Sequence, residues 1–371
     1  MPLRNSETTS GKGPAAMVVD QESRRSPYKG REAKSFWKQS VAGRAPHQLP
    51  GLYSRKFGIA PTDGIMTAGS CFAQHIARHL RAAGYNVLDT EPAPPWMSGE
   101  TAQRYGFGTY SARFGNIYYV RQFLQLVQEA TGRRTPADIA WEKDGRYFDA
   151  LRPAVEPHGL ETAELVSLHR EQHLARVRQL LAGTSVLVFT LGLTEGWVHT
   201  ASGTLYPTAP GTIAGDYDPA TYHFHNFSYA EVHADLIELR QLLQQLSPGL
   251  KIILTVSPVS LAATAGGEHV LPATVYSKSV LRAAAGALAG EFADVDYFPS
   301  YEVITGAPSG NSLLDATLRN VTPEGVETVM GYFFAEHPVH AVAADPAPGQ
   351  PAAPSAEAVL CEEALLEAFG S

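Results

Sequence analysis

A serine directly after a glycine, at the end of a short apolar run, is the residue of this chain best placed to act as a nucleophile. The run at residues 65–68 is too short for a helix and predicts a buried strand. After Ser70 the apolar residues recur at helical spacing as far as Gly84, a typical C-terminal stop. Ser70 is therefore predicted at a strand-to-helix corner, where free backbone N–H groups can stabilise an oxyanion beside its hydroxyl. The alternative is that Ser70 is an ordinary N-cap.

Cys71 adjoins this serine and is a second possible nucleophile. The thiolate is the reactive form of cysteine, and beyond the helix start the sequence offers no cue for an activated thiolate. We therefore expect Cys71 to pack as a small buried residue. The other cysteine is Cys361; two cysteines form no disulfide framework, which fits a reducing compartment.

The five residues Gly-Ser-Cys-Phe-Ala, at positions 69–73, resemble the signature of the GSCFA family, which belongs with the SGNH hydrolase-like esterases and lipases. The resemblance extends more loosely from about Lys34 to about His337. It implies a flavodoxin-like fold, a three-layer α/β/α sandwich. It also implies that Ser70, just after the first strand, is the nucleophile.

Five apolar runs alternate with amphipathic helices in this part of the chain, which predicts a parallel sheet covered on both sides. The predicted strands lie at residues 65–68, 85–89, 185–192, 251–256 and 294–302. The run at 185–192 is the clearest central strand because it is continuously apolar and β-branched. The expected fold is thus α/β with a mainly parallel five-stranded sheet.

The resemblance also implies where an oxyanion hole would lie. In SGNH-like enzymes a glycine of the second sequence block supplies an N–H donor, and Gly115 and Asn116 stand at a suitable place before a helix. An ordinary turn is the alternative, since Gly and Asn are common turn residues. The implied donors are the Ser70 N–H, the Gly115 N–H and the Asn116 amide.

The third sequence block of SGNH-like enzymes, Gly-x-Asn-Asp, is only partly matched. Gly192 agrees with it, but Thr194 and Glu195 occupy the places of the Asn and the Asp. Thr194 could still donate to an oxyanion, although its hydroxyl has a different reach. This departure makes Asn116 a more attractive donor.

The residues after the central strand are candidates for substrate binding, because ligands of open α/β sheets bind beyond the carboxyl ends of strands. They are Glu195, Trp197 and His199. Residues 201–227 are rich in aromatic side chains and are predicted to be a lid-like insertion. Within them His223 and His225 lack the further ligands that a metal site needs, so we expect neither a metal nor another cofactor.

The general base is missing from the place where the resemblance expects it. SGNH-like enzymes usually carry Asp-x-x-His before the last helix, whereas residues 317–320 read Thr-Leu-Arg-Asn. A serine nucleophile needs a base to accept its proton. We expect His269, in a loop before a helix capped by Ser277, to be that base, with Glu302 to orient it. His199 is the second choice.

The composition limits the possible partners. Hydrophobic residues make up 44% of the 371 residues and the net charge is −8, so a globular core is expected and an attraction to nucleic acid is not. No run is long enough for a membrane helix, and no apolar signal segment is present. A soluble cytoplasmic protein is expected, and association with a membrane surface stays open.

The predicted organisation has three parts. Residues 1–33 are expected to be a disordered tail, residues 34–337 the GSCFA-like domain, and residues 338–371 an Ala/Pro-rich linker with a short C-terminal helix. The predicted function is that of a serine-dependent ester hydrolase or acyltransferase acting on an acylated carbohydrate or similar small ester. The alternative is a non-catalytic ligand-binding module on the same scaffold. The sequence leaves the acyl group, the acceptor and the oligomeric state undefined.

Overall fold

A computed structural model describes residues 26–338 and 362–369 of the chain. Most of the predicted tail and most of the predicted linker, including Cys361, lie outside the described residues. The chain divides into two compact units, residues 1–44 and 45–371. The described part of the first unit contains a 3-10 helix, Ala33–Ser35, and a short helix α1, Trp37–Ser40.

The second unit carries the strands and the remaining helices. Its strands are β1 Ile65–Gly69, β2 Ala140–Lys143, β3 Arg146–Asp149, β4 Val186–Leu191, β5 Glu195–His199, β6 Leu205–Tyr206, β7 Tyr222–Asn226, β8 Lys251–Val256 and β9 Val295–Tyr297. Its α-helices are α2 Phe72–Ala82, α3 Gly99–Arg104, α4 Val120–Ala130, α5 Ala163–Gly183, α6 Tyr229–Leu246, α7 Val270–Glu291, α8 Ser300–Thr305 and α9 Pro323–Glu336. Further 3-10 helices span Pro46–Gln48, Ala307–Ser309 and Glu362–Phe369.

A four-stranded parallel sheet in the order β1-β4-β8-β9 forms the centre of this unit. Successive residues of β4 alternate between two apolar clusters. Leu187 and Phe189 share a cluster with residues of α4 to α7, and Val186 and Val188 share one with residues of α2, α8 and α9. Helices therefore cover both faces of the sheet. This is why β4 reads as a continuous apolar run, and the α/β class with a mainly parallel sheet is confirmed.

The fifth predicted strand, at residues 85–89, is reduced to one isolated bridge. Val87 is bridged in parallel to Ile65, and the Leu88 N–H donates to the Ile65 carbonyl at 2.9 Å. The Val87 N–H, however, donates to Tyr85 two residues earlier, so the chain bends here. Thr90 then pairs with Ser111 instead of continuing along β1. The apolar run gave the correct position at the sheet edge but overestimated the length of the pairing.

The predicted insertion at residues 201–227 forms a small sheet with the residues that precede it. Strands β6 and β7 both pair antiparallel with β5. Strands β2 and β3 form a hairpin, and Trp141 of that hairpin packs with Tyr206 and Tyr222 in a separate apolar cluster. The aromatic residues of the insertion thus build a second core that supports the end of the parallel sheet.

The helix before the last strand begins eight residues earlier than predicted. Its predicted cap is Ser277, whereas the observed cap is His269, and α7 begins at Val270 with Ser277 buried in its interior. Pro272 lies in the first turn of α7. A proline in the first turn of a helix is tolerated because its missing N–H would have no partner there.

A buried ionic cluster joins α5 to the β2–β3 hairpin. Arg170 of α5 donates to Asp149 at 3.2 Å and is also paired with Glu129. His173, one turn further along α5, donates through Nδ1 to the Glu91 carboxylate at 2.7 Å. Burial lowers the pKa of His173 to about 4, and the nearby charge of Arg152 acts in the same direction. The imidazole is therefore neutral in the folded protein at neutral pH.

We expect Gly69→Ala to destabilise the fold by about 3 kcal/mol or more. Gly69 has a φ of +141°, and a β-carbon at this position would stand 2.4 Å from the Thr190 carbonyl oxygen. Gly132 is a matched control, because it also has a positive φ but open space around it; Gly132→Ala should cost about 1 kcal/mol. Urea unfolding measures both losses, and equal losses would contradict the close approach at Gly69.

We expect the stability of the protein to fall between pH 7 and pH 5. The pKa of His173 is about 4 in the folded state against 6.5 in the unfolded state, so the unfolded chain binds the proton first as the pH falls. His173 alone should account for about 2 kcal/mol of this loss. His173→Gln should make the pH dependence of the unfolding free energy correspondingly shallower in urea titrations at both pH values. An unchanged dependence would show that this histidine is not buried in the neutral form.

Candidate functional site

The corner at the end of β1 is fixed by backbone hydrogen bonds. The Ser70 N–H donates to the Thr190 carbonyl at 3.1 Å, and the Ile117 N–H donates to the Gly69 carbonyl at 2.9 Å. Helix α2 starts immediately afterwards, because the Ser70 carbonyl accepts the first helical bond from Ala73 at 2.8 Å. The predicted strand-to-helix corner is thus present. The prediction that the Ser70 N–H serves an oxyanion is corrected, since the pairing of β1 with β4 already uses this donor.

The Ser70 hydroxyl is buried and forms no hydrogen bond. The residue is 2% exposed, and its Oγ has no hydrogen-bond partner among the residues that the structure describes. Thr67 and Thr190, on the adjoining strands, also bury unbonded hydroxyls. Each threonine side chain also carries a methyl group that is buried with it. A serine side chain has only its hydroxyl beyond the β-carbon. A buried hydroxyl without a partner is costly, and such groups in folded proteins often mark a functional position.

Asn116 is held in one orientation beside this corner. Its Oδ1 accepts from the Tyr110 hydroxyl and from Gln74 Nε2, the latter at 3.3 Å. The Tyr110 hydroxyl also lies 3.2 Å from the Ser70 carbonyl. Because donors occupy the oxygen side of the amide, its NH₂ group is directed to the opposite side. The side-chain amide is therefore a preoriented donor.

A carboxylate from the C-terminal 3-10 helix accepts from this amide. Glu362 Oε2 is bonded to Asn116 Nδ2 and to the Tyr118 hydroxyl, the latter at 2.6 Å. Glu362 is 6% exposed. A β-carbon at Gly115, which has a φ of +69°, would stand 3.8 Å from Glu362 Oε1. Gly115 and Asn116 thus lie together beside the Glu362 carboxylate.

The end of β4 closes the other side of the corner. A β-carbon at Gly192 would stand 3.0 Å from Ser70 Cβ and 3.0 Å from the Tyr118 carbonyl oxygen, so only glycine allows the three segments to meet. The buried Lys278 of α7 donates from Nζ to the Gly192 carbonyl at 2.7 Å. This contact places the amino group of Lys278 near the Ser70 corner.

Thr194 is not available as an oxyanion donor in this arrangement, which corrects the prediction. Its N–H donates to Ser277 Oγ at 3.0 Å, and its hydroxyl donates to Asn226 Oδ1 at 2.7 Å. Both donors hold the connection between the parallel sheet and the β5–β7 pair. Thr194 has a structural role because the insertion folds back as strand β7 and supplies Asn226.

The predicted base and its acidic partner are apart from each other. His269 is the exposed N-cap of α7, and its Nδ1 accepts from the Leu271 N–H at 3.1 Å. Glu302 is paired with Arg282 and accepts from the Tyr297 hydroxyl at 2.8 Å. A helix rises about 1.5 Å per residue, so His269 lies about 13 Å along α7 from Lys278. His269 is bonded within the first turn of α7 and forms no hydrogen bond to Ser70 Oγ.

The three predicted substrate-binding residues lie along β5. Glu195 is mostly buried and accepts from the Thr264 hydroxyl at 2.9 Å, and its burial raises its pKa. The ring of Trp197 contacts those of Tyr217 and Phe224, at centroid distances of 5.2 and 5.9 Å. His199, the second choice as base, accepts through Nδ1 from the Ser202 N–H at 3.2 Å. These contacts hold the small sheet together, and none of them involves Ser70.

The loop before α9 carries an arginine directed inward instead of a base. Asn320 is exposed and donates to Asp315 at 3.0 Å. Leu318 adopts a left-handed φ of +56°, and the next residue, Arg319, is buried and donates to the Ser260 carbonyl at 3.1 Å. A positive φ at a non-glycine residue carries strain, so the direction of Arg319 is imposed by its surroundings.

The described residues include no group of three or more His, Cys, Asp or Glu side chains that could hold a metal ion. His223 and His225, the pair considered above, instead contact the Thr200 hydroxyl and the Glu231 carboxylate. Across the same residues, every helix is too short or too polar to cross a bilayer.

Sequence reasoning missed several polar residues of the corner. Gln74 stands four residues after Ser70, one helical turn away, which is a usable signal. Lys278 occupies an inward position of α7 among apolar residues, which also could have been noticed. Tyr110 and Tyr118 resemble ordinary core aromatics. Glu362 gave no signal, because it is 246 residues away from Asn116 in the chain.

Comparisons with known proteins agree with the short motif. The family model described as the GSCFA family matches residues 64–333, from just before β1 into α9. No curated protein shows a significant match to the chain. The match includes all four strands of the parallel sheet, the Ser70 corner and Lys278, and it covers most of the sequence. On this evidence the chain belongs to the GSCFA family.

Proposed function

We propose that this protein is a serine-dependent ester hydrolase or acyltransferase that acts on an acylated carbohydrate or similar small ester. The observation that carries the proposal is the unbonded Ser70 hydroxyl, buried next to an amide donor that already holds an anionic oxygen. A capping role would bond this hydroxyl to a backbone N–H of α2, and no such bond is present among the described residues. A nucleophilic serine, in contrast, needs a hydroxyl oxygen that is held in position and is not engaged in a hydrogen bond.

In the proposed reaction Ser70 Oγ attacks the acyl carbonyl, and the carbonyl oxygen becomes an oxyanion. The Asn116 amide, fixed by Tyr110, and the N–H of Gly115 are the proposed donors to that oxyanion. Preoriented donors of this kind stabilise the transition state without reorganisation. The alcohol then leaves, and water or a sugar hydroxyl takes the acyl group from Ser70.

The proton of Ser70 needs an acceptor, and no described histidine is bonded to Ser70 Oγ. The proposal therefore requires a base that reaches the hydroxyl only when the site opens for a substrate. Aromatic rings along β5, notably Trp197 with the half-exposed Tyr217, are the proposed contact surface for a sugar, since aromatic faces pack well against apolar faces of carbohydrates. A cytoplasmic location is part of this proposal.

A non-catalytic module that binds carboxylates is the second candidate, and two observations favour it. The Ser70 N–H is used by the sheet and no described base contacts the hydroxyl, so the usual activation is absent. The buried Lys278 side chain, bonded to the Gly192 carbonyl beside Ser70, would stabilise a bound anion as readily as a reaction intermediate.

We expect a serine-reactive fluorophosphonate to label the wild-type protein at Ser70, and Ser70→Ala to lose both this label and the turnover of a short-chain aryl ester. The loss of turnover should be at least about a hundredfold, because removal of a nucleophile abolishes the acyl-enzyme route. Mass spectrometry of the labelled peptide and a chromogenic ester assay measure the two effects.

Cys71→Ala is the matched control for this experiment, because it removes the adjoining nucleophile and leaves Ser70 in place. It should keep both the label and the turnover. A folded wild-type protein that is neither labelled nor active on any aryl ester would contradict the enzymatic proposal and favour the binding module. Retention of activity by Ser70→Ala together with its loss in Cys71→Ala would transfer the role to the thiol.

A further inference from the structure

Among the described side chains of the C-terminal 3-10 helix, Glu362–Phe369, Glu362 bonds to two residues of the candidate site. Glu362 is buried, whereas Leu365 and Phe369 of the same segment are 48% and 70% exposed. A segment that docked by the hydrophobic effect would bury its apolar residues and expose its acid. Leu366 is half-buried, but the acid is the most buried of the described side chains of this segment, so its carboxylate is an anchor of the segment.

The donors that bind this carboxylate do not need Glu362 to orient them. If the side-chain amide of Asn116 turned over, its NH₂ group instead of its oxygen would face the donors Tyr110 and Gln74. Those two donors therefore fix its orientation. Tyr118 is buried and presents its hydroxyl to the same carboxylate oxygen. Buried donors left without an acceptor are costly, and hydrogen bonds to a charged acceptor are stronger than neutral ones.

The anchored segment also stands where a substrate would have to bind. The Asn116 amide that holds Glu362 is the donor offered above for the oxyanion. The Tyr110 hydroxyl links Asn116 to the carbonyl of Ser70. A ligand that uses this amide therefore competes with Glu362 for it.

We propose that Asn116 and Tyr118 form a carboxylate-binding subsite, and that Glu362 fills it in cis and keeps the site closed until a carboxylate-bearing ligand displaces the segment. The inference deepens the proposed function, because both use the Asn116 amide, but docking of the segment does not depend on catalysis. A tethered group acts at a high effective concentration, so a free carboxylate binds more weakly to the closed chain than to one without the anchor.

The experiment uses the full chain as wild type, Glu362→Gln and Glu100→Gln. Glu100 is exposed on α3, and its replacement removes the same charge without touching the site. Amide hydrogen exchange of residues 362–369 should be at least about tenfold faster in Glu362→Gln than in the other two proteins, a change of about 1.4 kcal/mol. Acetate, followed by NMR of the ¹³C-labelled ion, should bind Glu362→Gln at least about tenfold more tightly than wild type.

A charge exchange tests the contact itself. Asn116→Asp places two carboxylates together and should release the segment, whereas the double variant Asn116→Asp with Glu362→Gln restores an amide–carboxylate pair and should restore slow exchange. Equal exchange in wild type and Glu362→Gln, or a double variant that exchanges as fast as Asn116→Asp, would overturn the inference.

Fluorophosphonate labelling separates this inference from the proposed function. Faster exchange of the segment in Glu362→Gln with faster labelling of Ser70 supports both. Faster exchange with no labelling of any variant supports the closed subsite and contradicts the enzyme. Labelling of Ser70 at the same rate in wild type and Glu362→Gln, with unchanged exchange, supports the enzyme and contradicts closure by Glu362.

Discussion

The close approach of β1 to β4 at Gly69 is the constraint on which the candidate site depends. The Thr190 carbonyl accepts from the Ser70 N–H, and a β-carbon at Gly69 would collide with that same carbonyl. Gly192, at the end of β4, has equally little room beside Ser70 Cβ. Two glycines thus let two parallel strands and the segment around Tyr118 converge on one serine. Any larger residue at either place would separate the groups whose proximity gives the corner its chemistry.

The polar side chains around Ser70 form hydrogen bonds with one another, and these bonds fix their orientations. Tyr110 and Gln74 fix the oxygen of Asn116, which leaves its NH₂ group for an anionic oxygen. An oxyanion in a reaction and a carboxylate in a ligand present the same kind of acceptor, so one amide suits both. The contact with Glu362 therefore bears on both proposals. The Glu362 carboxylate, which stabilises the closed chain, competes for the Asn116 amide with the oxyanion that the reaction would form.

The electrostatic character of the carboxyl edge follows from side chains on three different elements. Lys278 comes from α7, Arg319 from the loop before α9, and Glu362 from the far end of the chain. In the place where the resemblance leads one to expect a histidine base, the chain buries a guanidinium group and exposes Asn320. This edge is therefore better suited to holding an anion than to removing a proton. For this reason the proposed catalysis requires a rearrangement, whereas binding of an anion does not.

Local sequence determined the elements that depend on short-range periodicity and on sterically unique residues. The apolar runs at β1, β4 and β8, the helix after Ser70 and the glycine at its turn could be predicted because each is encoded within a few residues. At α7 the prediction from local sequence was wrong: the cap was predicted at Ser277, eight residues too late, and His269, predicted within a loop, is the N-cap.

The tertiary structure decided which donors are already in use and which residues meet. The Ser70 N–H and both donors of Thr194 have hydrogen-bond partners. These partners come from β4, from β7 and from α7, which are far away in sequence. The contact between Glu362 and Asn116 joins residues 246 positions apart. The sequence names the groups that can donate or accept, but a hydrogen bond depends on distance and direction, and for distant residues only the folded chain sets these.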